Sequence, residues 1–374
     1  MAQEFKVTPW EVSGIVDYDK LMKEFGTQPL TDSLLERVKK FAKGDLHYLF
    51  RRKIFFSHRD FDWILNEYEK GNKFFLYTGR APSGHTHLGH LIPWIITKWL
   101  QDNFNAELYF QMSDDEKFYF KEELTLDDTT RLTKENMLDI IALGFDQKKT
   151  HFIINTQHAK IMYREAAKVA KKLTVSTAKA VFGLSDRNNI GEFFYTCMQS
   201  VPAFLPSILK GKNIPCLIPL AIDQDPHFRI ARDIIPKLGY YKPSILHCKF
   251  LPALTGPDSK MSASEEQTAV YTTDTPETVE KKIKKYAFSG GRDTVEEHRK
   301  LGGNPAIDVS YQWLTFFEED DKKLKRIYED YKSGKMLTGE LKEILIQKLT
   351  KFLKEHQRNR EKAKKVLNKF ILKD

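Results

Sequence analysis

The chain alternates short apolar runs with helical patterns between about residues 71 and 265. Five runs have the length and the aromatic or β-branched content of buried strands: residues 74–77, 106–112, 150–155, 216–222 and 245–250. Helical spacing of apolar residues predicts helices over 88–100 and 127–143, the second ending at Gly144, where a C-cap glycine belongs. This alternation predicts an α/β Rossmann-like domain built on a parallel five-stranded sheet.

The segments on either side of this region have a different pattern. Residues 1–70 are predicted as an N-terminal extension with short helices at 19–25 and 31–42. The segment Phe55–Asp60 should lead into a further helix, with Ser57 or Asp60 as its cap. Residues from about 158 to 213 are mainly helical and predict an insertion between two halves of the sheet.

The last part of the chain, residues 266–374, is predicted to form an all-helical domain. Thr275 and Pro276 have the pattern of an N-cap followed by proline at the first helical position. Leucines at five positions share one helix face, with lysines mostly on the other: Leu337, Leu341, Leu345, Leu349 and Leu353.

Composition narrows the class of protein. The 374 residues are 41% hydrophobic, as in a folded soluble protein. No apolar run reaches the ~18 residues of a membrane span, so we expect no membrane partner. The three cysteines lack the C-x-x-C spacing of a metal site, and they fit a reducing cytoplasm.

The net charge of +9 is concentrated at one end of the chain. Residues 321–374 contain seventeen Lys and Arg against eight Asp and Glu. A basic terminal domain on a nearly neutral body suggests a polyanionic partner such as nucleic acid. A solvated, lysine-rich helix surface has the same composition, so charge alone leaves both interpretations open.

Polar residues follow several of the predicted strands. Tyr77, Gln111, Asp223 and Gln224 lie at or just past strand ends. In open parallel sheets ligands bind beyond the carboxyl ends of the strands, so these residues predict one shared site.

The segment His87-Leu88-Gly89-His90 follows the first strand and a glycine-containing loop. Two histidines three positions apart at a helix start share one face, and their ring N–H groups can donate to phosphate or ribose oxygens. The helix N-terminus favours anions, and Gly89 leaves room for a nucleotide. A metal-binding pair and ordinary surface histidines are the alternatives.

The segment Lys260-Met261-Ser262-Ala263-Ser264 follows the fifth strand. A lysine and two hydroxyls on a flexible loop could close over a triphosphate and stabilise a departing pyrophosphate. Taken by itself this pattern also describes a solvated loop.

The two segments together resemble the paired signatures of class I aminoacyl-tRNA synthetases, with one Rossmann sheet and an insertion between them. Within that class the chain resembles the tryptophanyl-tRNA synthetase family of archaeal and eukaryotic type. The resemblance covers nearly the whole chain, and further segments carry it: residues 7–10, 77–80, 111–117, 176–183, 221–226 and 285–291.

The resemblance implies ATP-dependent ligation of L-tryptophan to tRNA(Trp) through a tryptophanyl-adenylate. It also implies Mg²⁺ held mainly by ATP rather than by protein ligands, a cytoplasmic homodimer formed through the insertion, and an anticodon-binding role for residues 266–374.

The resemblance also implies roles for individual residues. Tyr77 and Gln111 would pair with the indole N–H of tryptophan, while Glu116, Gln199 and Gln224 would hold its amino and carboxylate groups or brace the pocket. The catalytic residues would be His87, His90 and Lys260. ATP would contact these three and also Arg80, Gly89, Asp223, Met261, Ser262 and Ser264, with Asp223 at the ribose. No residue is expected to act as a general base.

Three other functions are open to this sequence. A tyrosyl-tRNA synthetase would share the sheet and both signatures, but Thr8-Pro9-Trp10 and residues 111–117 argue against it. A synthetase-like binding protein would not need His87, His90 and Lys260. A small-molecule nucleotidyltransferase would not need the basic helical domain.

Overall fold

A computed structural model of the chain describes residues 5–7, 12–14, 16–261 and 266–373. The strands are β1 (Lys6–Val7), β2 (Val12–Ser13), β3 (Gln28–Pro29), β4 (Phe55–Arg59), β5 (Phe75–Arg80), β6 (Glu107–Met112), β7 (Thr150–Ile154), β8 (Cys216–Ala221), β9 (Ser244–Cys248), β10 (Pro252–Ala253) and β11 (Gly256–Lys260). Short 3₁₀ helices cover Val201–Ala203, Ile222–Gln224, Ile235–Leu238, Glu266–Thr268 and Leu367–Lys369.

The α-helices alternate with the strands along the chain, and five of them follow the last strand, between residues 276 and 363. They are α1 (Tyr18–Phe25), α2 (Asp32–Lys39), α3 (Tyr48–Arg51), α4 (Phe61–Glu69), α5 (Leu88–Phe104), α6 (Glu116–Phe120), α7 (Leu126–Ala142), α8 (Ala159–Ala170), α9 (Val175–Phe182), α10 (Ile190–Met198), α11 (Leu205–Leu209), α12 (Asp225–Ile234), α13 (Pro276–Tyr286), α14 (Val295–Leu301), α15 (Val309–Phe317), α16 (Asp321–Lys332) and α17 (Thr338–Ala363). No helix among residues 16–261 and 266–373 is long and apolar enough to cross a membrane.

The central sheet has seven strands in the order β3-β4-β9-β8-β5-β6-β7. Strands β9, β8, β5, β6 and β7 are parallel neighbours and correspond to the five predicted runs. The α/β class is therefore confirmed, but the count of five strands is wrong. Strands β3 and β4 add to the β9 edge as antiparallel neighbours.

Strand β4 occupies the segment that the sequence predicted as the lead into a helix. Ser57 pairs with His247 of β9. The segment is a strand because of its hydrogen bonds to β9, a strand distant in the sequence, and the local sequence pattern does not reveal this pairing. Ser57 is therefore not a helix cap. Asp60 does take the N-cap position of α4, but its side chain makes no capping hydrogen bond. It accepts instead from Arg232 at 2.7 Å.

A second, four-stranded sheet has the order β1-β2-β11-β10. Lys260 is the last residue of β11, which pairs antiparallel with β10. The expectation that Lys260 lies on a flexible loop, after a turn-rich lead at residues 255–258, is therefore wrong, because residues 256–260 form a strand. Ser262 and Ser264 lie outside the described residues, as does Thr8-Pro9-Trp10.

Local sequence features explain where helix α7 begins and ends and which face of helix α5 is buried. Helix α7 begins after Thr125, whose hydroxyl accepts from the backbone N–H of Asp128 at 3.2 Å, and Gly144 follows its end with φ of 86°. Helix α5 packs its apolar side chains against the sheet, with Leu88, Leu91 and Leu100 fully buried.

The C-terminal helices pack onto the α/β region. Leu341, Leu345, Leu349 and Leu353 of α17 are buried and share one apolar cluster with sheet residues such as Leu108. The end of the chain reaches the free edge of β7, where the backbone N–H of Phe152 donates to Phe370 O at 2.7 Å.

Candidate active site

A cavity of about 970 Å³ opens at the carboxyl ends of β5, β6 and β8. Ligand sites of open parallel sheets lie at this edge. Eleven of the residues predicted from the sequence line it: Tyr77, Arg80, His87, Gly89, His90, Gln111, Glu116, Gln199, Asp223, Gln224 and Met261. The structure therefore brings together residues that are up to 184 positions apart in the chain.

The two histidines sit at the start of α5. His87 is its N-cap and His90 lies in the first turn, so their rings stack with centroids 3.5 Å apart. Nη1 of Arg80 donates to Nε2 of His90 at 2.9 Å. Because β5 ends at Arg80 and α5 starts beside it, a guanidinium, two imidazoles and a helix N-terminus face the same region. These groups suit an anion.

The guanidinium of Arg80 is held in place by a hydrogen bond to helix α7. Its Nε donates to Oδ1 of Asn136 at 2.9 Å, whereas its Nη2 is buried and makes no hydrogen bond to any residue that the structure describes. Burial lowers the pKa of Arg80 to about 10, so the group remains cationic at neutral pH. A buried cation with an unused donor is a candidate phosphate ligand.

The two signature segments lie against each other. A Cβ atom on Gly89 would lie 3.4 Å from the terminal methyl carbon of Met261 and 3.1 Å from Nδ1 of His87. The backbone N–H of Leu88 donates to Val270 O at 3.0 Å, so the chain after the second signature pairs with the start of α5. Glycine at position 89 therefore allows a close approach that a side chain would narrow.

Tyr77 on β5 and Gln111 on β6 also line the cavity. The hydroxyl of Tyr77 donates to Oε1 of Gln111 at 2.6 Å and lies 2.9 Å from Gln199 O. Both side chains are almost completely buried, and burial raises the pKa of Tyr77 well above its ordinary value. Since the hydroxyl proton points to these oxygens, the phenol oxygen keeps a lone pair for an N–H donor.

Glu116 lies at the start of α6 and lines the same cavity. Its Oε2 accepts from the hydroxyl of Tyr195 at 2.5 Å, and its Oε1 accepts from Nζ of Lys117 at 2.7 Å. Burial by itself favours the neutral acid, but Lys117 and Tyr195 lower the pKa of Glu116 below its ordinary value. A buried carboxylate beside the cavity suits a cationic group of the ligand.

Three further predicted residues complete the wall. Gln199 follows α10, and its buried Oε1 has no hydrogen-bond partner among the described residues. Asp223 and Gln224 form a 3₁₀ turn directly after β8. An ion pair holds the next residue, Asp225: Nε and Nη2 of Arg59 donate to its two carboxylate oxygens at 2.7 and 2.8 Å.

Sequence reasoning missed four residues that hold this site. Asn136, Asn155, Tyr195 and Arg59 contact site residues or their immediate neighbours through hydrogen bonds. Asn155 stands at the end of a predicted strand, so the strand-end rule could have found it. The others lie within helices or on the unrecognised strand β4, and no local signal marks them.

The chain is similar to known tRNA synthetases over most of its length. A family model described as class I tRNA synthetases for W and Y matches residues 69–354. The tryptophan–tRNA ligase of Sulfolobus acidocaldarius is 57% identical over 371 residues, which are 99% of this chain and 96% of that protein. The corresponding ligase of Pyrococcus horikoshii is 54% identical, covering 99% of this chain and 94% of that protein.

A solved structure is also similar over almost the whole length. The crystal structure of Plasmodium falciparum tryptophanyl-tRNA synthetase superposes with a TM-score of 0.90 at 43% identity. The alignment covers 96% of this chain and 98% of that chain.

Proposed function

Because this chain belongs to the class I aminoacyl-tRNA synthetases of the tryptophan and tyrosine type, we propose that it ligates L-tryptophan to tRNA(Trp). The reaction passes through a tryptophanyl-adenylate and releases pyrophosphate and AMP. One observation carries the proposal: a single cavity is lined both by the Tyr77–Gln111 pair and by the Arg80–His90 pair. An amino-acid pocket and a phosphate site thus share one space.

The Tyr77–Gln111 pair recognises the indole. Both the phenol oxygen and Oε1 of Gln111 can accept from an indole N–H while keeping their mutual hydrogen bond. A site built to pair one buried donor rejects analogues that lack it by roughly 10⁴–10⁵, because the acceptors are otherwise left unpaired. This is the basis of tryptophan selectivity in the proposal.

The polar groups of the amino acid are held by three further side chains that line the same cavity. Glu116, ionised within its hydrogen bonds, attracts the ammonium group. Gln199 and Gln224 supply amide groups for the ammonium or carboxylate, and the buried Oε1 of Gln199 is available to accept.

ATP occupies the side of the cavity nearest α5. Arg80 and Lys260 contact its phosphates, His87 and His90 also contact the nucleotide, and Asp223 lies at the ribose. Gly89 gives the nucleotide room, and we assign further ATP contacts to Met261, Ser262 and Ser264, as the sequence resemblance implies. The cationic and N–H donors on this side suit the triphosphate, so Mg²⁺ enters with ATP and is held mainly by phosphate oxygens.

The chemistry then needs no protein nucleophile. The tryptophan carboxylate attacks the α-phosphorus, and the bond to pyrophosphate breaks. Positive charge from Arg80 and Lys260 stabilises the leaving group beside the two histidines, while the pocket fixes the attacking oxygen in line. A ribose hydroxyl at the 3′ end of tRNA next attacks the acyl carbon, and AMP leaves.

Residues 266–374 act as the anticodon-binding domain in this proposal. Exposed basic side chains of α17 support it, since phosphate neutralisation dominates nucleic-acid affinity. Because its tRNA substrate takes part in translation, we place the protein in the cytoplasm.

The protein acts as a homodimer that forms through residues 158–213. Large apolar side chains exposed on the insertion support this: Tyr163 (63%), Val175 (60%) and Ile190 (87%). Sedimentation velocity should show a dimer that Ile190→Lys weakens, whereas Val295→Lys, at an exposed site on α14, should leave it unchanged. A wild-type monomer would exclude the dimer.

Pyrophosphate exchange with each of the twenty amino acids tests the activity. We expect ATP–pyrophosphate exchange with tryptophan alone, and loss of exchange in His90→Ala with tryptophan binding retained. Exchange with tyrosine but not tryptophan would reassign the substrate. No exchange with any amino acid would favour a binding protein that has kept the fold.

A further inference from the structure

A chain of three buried hydrogen bonds runs from the indole pocket into the protein. Tyr77 donates to Oε1 of Gln111 at 2.6 Å. Nε2 of Gln111 then donates to Oδ1 of Asn155 at 2.9 Å, and Nδ2 of Asn155 donates to Oδ1 of Asp115 at 2.7 Å. Asn155 follows β7, is 1% exposed, and does not line the cavity.

The direction of this chain is set at its inner end. An ionised carboxylate can only accept hydrogen bonds, so Asp115 requires the amide nitrogen of Asn155 to face it. The carbonyl oxygen of Asn155 must then face Gln111. That oxygen in turn requires the amide nitrogen of Gln111, which leaves the carbonyl end of Gln111 toward Tyr77 and the cavity.

We propose that Asn155 is a specificity-determining positioning residue, which holds the Gln111 amide with its oxygen toward the substrate. The inference rests on the proposed function, because it concerns recognition of the indole N–H. A Gln amide has similar shape in both orientations but opposite hydrogen-bonding polarity at its two ends. Without a fixed partner, Gln111 can turn its NH₂ group toward the indole N–H, and two donors then face each other.

This arrangement assigns two jobs to different residues. Gln111 and Tyr77 touch the indole, whereas Asn155 acts only through Gln111. Loss of Asn155 should therefore weaken tryptophan recognition without affecting ATP, and it should do so only while Gln111 is present.

The experiment compares Asn155→Leu with a matched control in tryptophan-dependent pyrophosphate exchange. The readouts are kcat, the KM for tryptophan, and the preference for tryptophan over its analogue with sulfur in place of the indole N–H. We expect Asn155→Leu to raise the KM about tenfold and to lower the preference by a similar factor, as loss of one buried hydrogen bond does. The KM for ATP should not change.

The control is Gln101→Leu, which removes a buried amide of α5. Nε2 of Gln101 donates to Oγ1 of Thr150 at 2.9 Å, at the opposite end of β7 from Asn155. It should leave the preference unchanged. In a Gln111→Leu background, the further change Asn155→Leu should no longer alter the preference.

A swap of the two inner residues tests polarity rather than packing. In the double variant Asp115→Asn, Asn155→Asp, the amide at position 115 would donate to the carboxylate at 155, which would accept from Gln111. We expect the swap to restore most of the preference that Asn155→Asp alone loses. An unchanged preference in Asn155→Leu, or no rescue by the swap, would overturn the inference while leaving the proposed function intact. A wild-type protein without tryptophan-dependent exchange would overturn both.

Discussion

Arg80 and Asn136 are joined by a hydrogen bond of 2.9 Å from Nε to Oδ1, which ties the phosphate side of the cavity to helix α7. The amide nitrogen of Asn136 also donates to Gly84 O at 3.0 Å. One buried side chain thus holds both the guanidinium and the loop between β5 and α5. The geometry of the proposed ATP site depends on a residue that does not line it.

We therefore expect Asn136→Ala to impair ATP use selectively. The KM for ATP in pyrophosphate exchange should rise about tenfold, because a misplaced guanidinium loses one charge-assisted contact to phosphate. The KM for tryptophan should stay within about twofold. Thr133→Val, a buried change one turn earlier on α7, is the control and should leave both constants unchanged. Equal increases in both would indicate general disruption instead.

The parallel part of the fold was predictable because its strands are buried on both faces. Each of β5 to β9 reads as a continuous apolar run, and such runs are visible without knowledge of their partners. Strand β4 has the sequence Phe-Phe-Ser-His-Arg, whose polar half fits either a strand or a helix start. Pairing with β9 makes this segment a strand, and the two strands are far apart in the sequence: Ser57 and His247, which contact each other, are separated by 190 positions.

The residues of the site also fall into two groups, those that the sequence pattern predicted and those that it did not. Tyr77, Gln111, Asp223 and Gln224 follow predicted strands, so one topological rule places them together. Asn136 meets Arg80 from 56 positions away and Tyr195 meets Glu116 from 79, both from helices whose apolar pattern gives no sign of a polar contact. Sequence pattern indicated which residues line the cavity, but only tertiary packing shows which residues hold them.

The buried ion pair between Arg59 and Asp225, next to Gln224, should contribute strongly to the free energy of unfolding. Asp225 accepts from Arg59, and Nε2 of His247 lies 3.0 Å from its Oδ1. Burial by itself would raise the pKa of Asp225, but the hydrogen bonds from Arg59 and His247 hold it well below its ordinary value. Asp225→Asn leaves a cation without its counterion and should lower the free energy of unfolding by on the order of 3 kcal/mol at pH 7.

The pH dependence of that loss follows from the sign of the shift. A carboxyl with a lowered folded-state pKa contributes stability above its unfolded pKa of about 4 and loses it as the pH falls further. Urea unfolding should therefore show wild type and Asp225→Asn converging below about pH 4. Asp321→Asn is the control: the Asp321 carboxylate is about half exposed in its ion pairs with Arg51 and Arg52, so the change should cost less than about 1 kcal/mol.

The basic face of α17 should contribute to tRNA binding by charge. Four exposed side chains lie on this helix away from its buried leucines: Lys351, Lys354, Arg358 and Lys362. Substitutions test this better than deletion, because α17 shares an apolar cluster with the central sheet. Changing all four to Gln should raise the KM for tRNA in aminoacylation and reduce the salt slope by roughly 0.7–0.9 per lost phosphate contact.

Pyrophosphate exchange in the same variant should be unchanged, because adenylate formation does not require tRNA. Lys39→Gln, Lys40→Gln and Lys73→Gln together remove exposed charges elsewhere and should leave the salt slope as it is. If the α17 variant charges tRNA normally at every salt concentration, this face is an ordinary solvated surface.

Asp115 should make recognition of the indole sensitive to pH. Burial raises the pKa of Asp115 to about 7, despite the hydrogen bond from Asn155, and the neighbouring carboxylates contribute. The titratable groups around it are Asp114, Glu116, Tyr119 and Tyr195. Above pH 7 the carboxylate accepts from Asn155 and fixes its orientation. Below pH 7 a protonated Asp115 can donate instead, so Asn155 and Gln111 can both reverse.

The KM for tryptophan should therefore rise as the pH falls from 8 to 6. One unit below the pKa only about a tenth of the molecules keep the ionised carboxylate, so the increase should approach tenfold if the reversed form does not bind. Asp115→Asn cannot titrate, and its KM should be nearly constant over this range, as should the KM for ATP in both proteins. Steady-state exchange at half-unit steps of pH would show this, and parallel profiles for wild type and Asp115→Asn would assign the pH effect to another group.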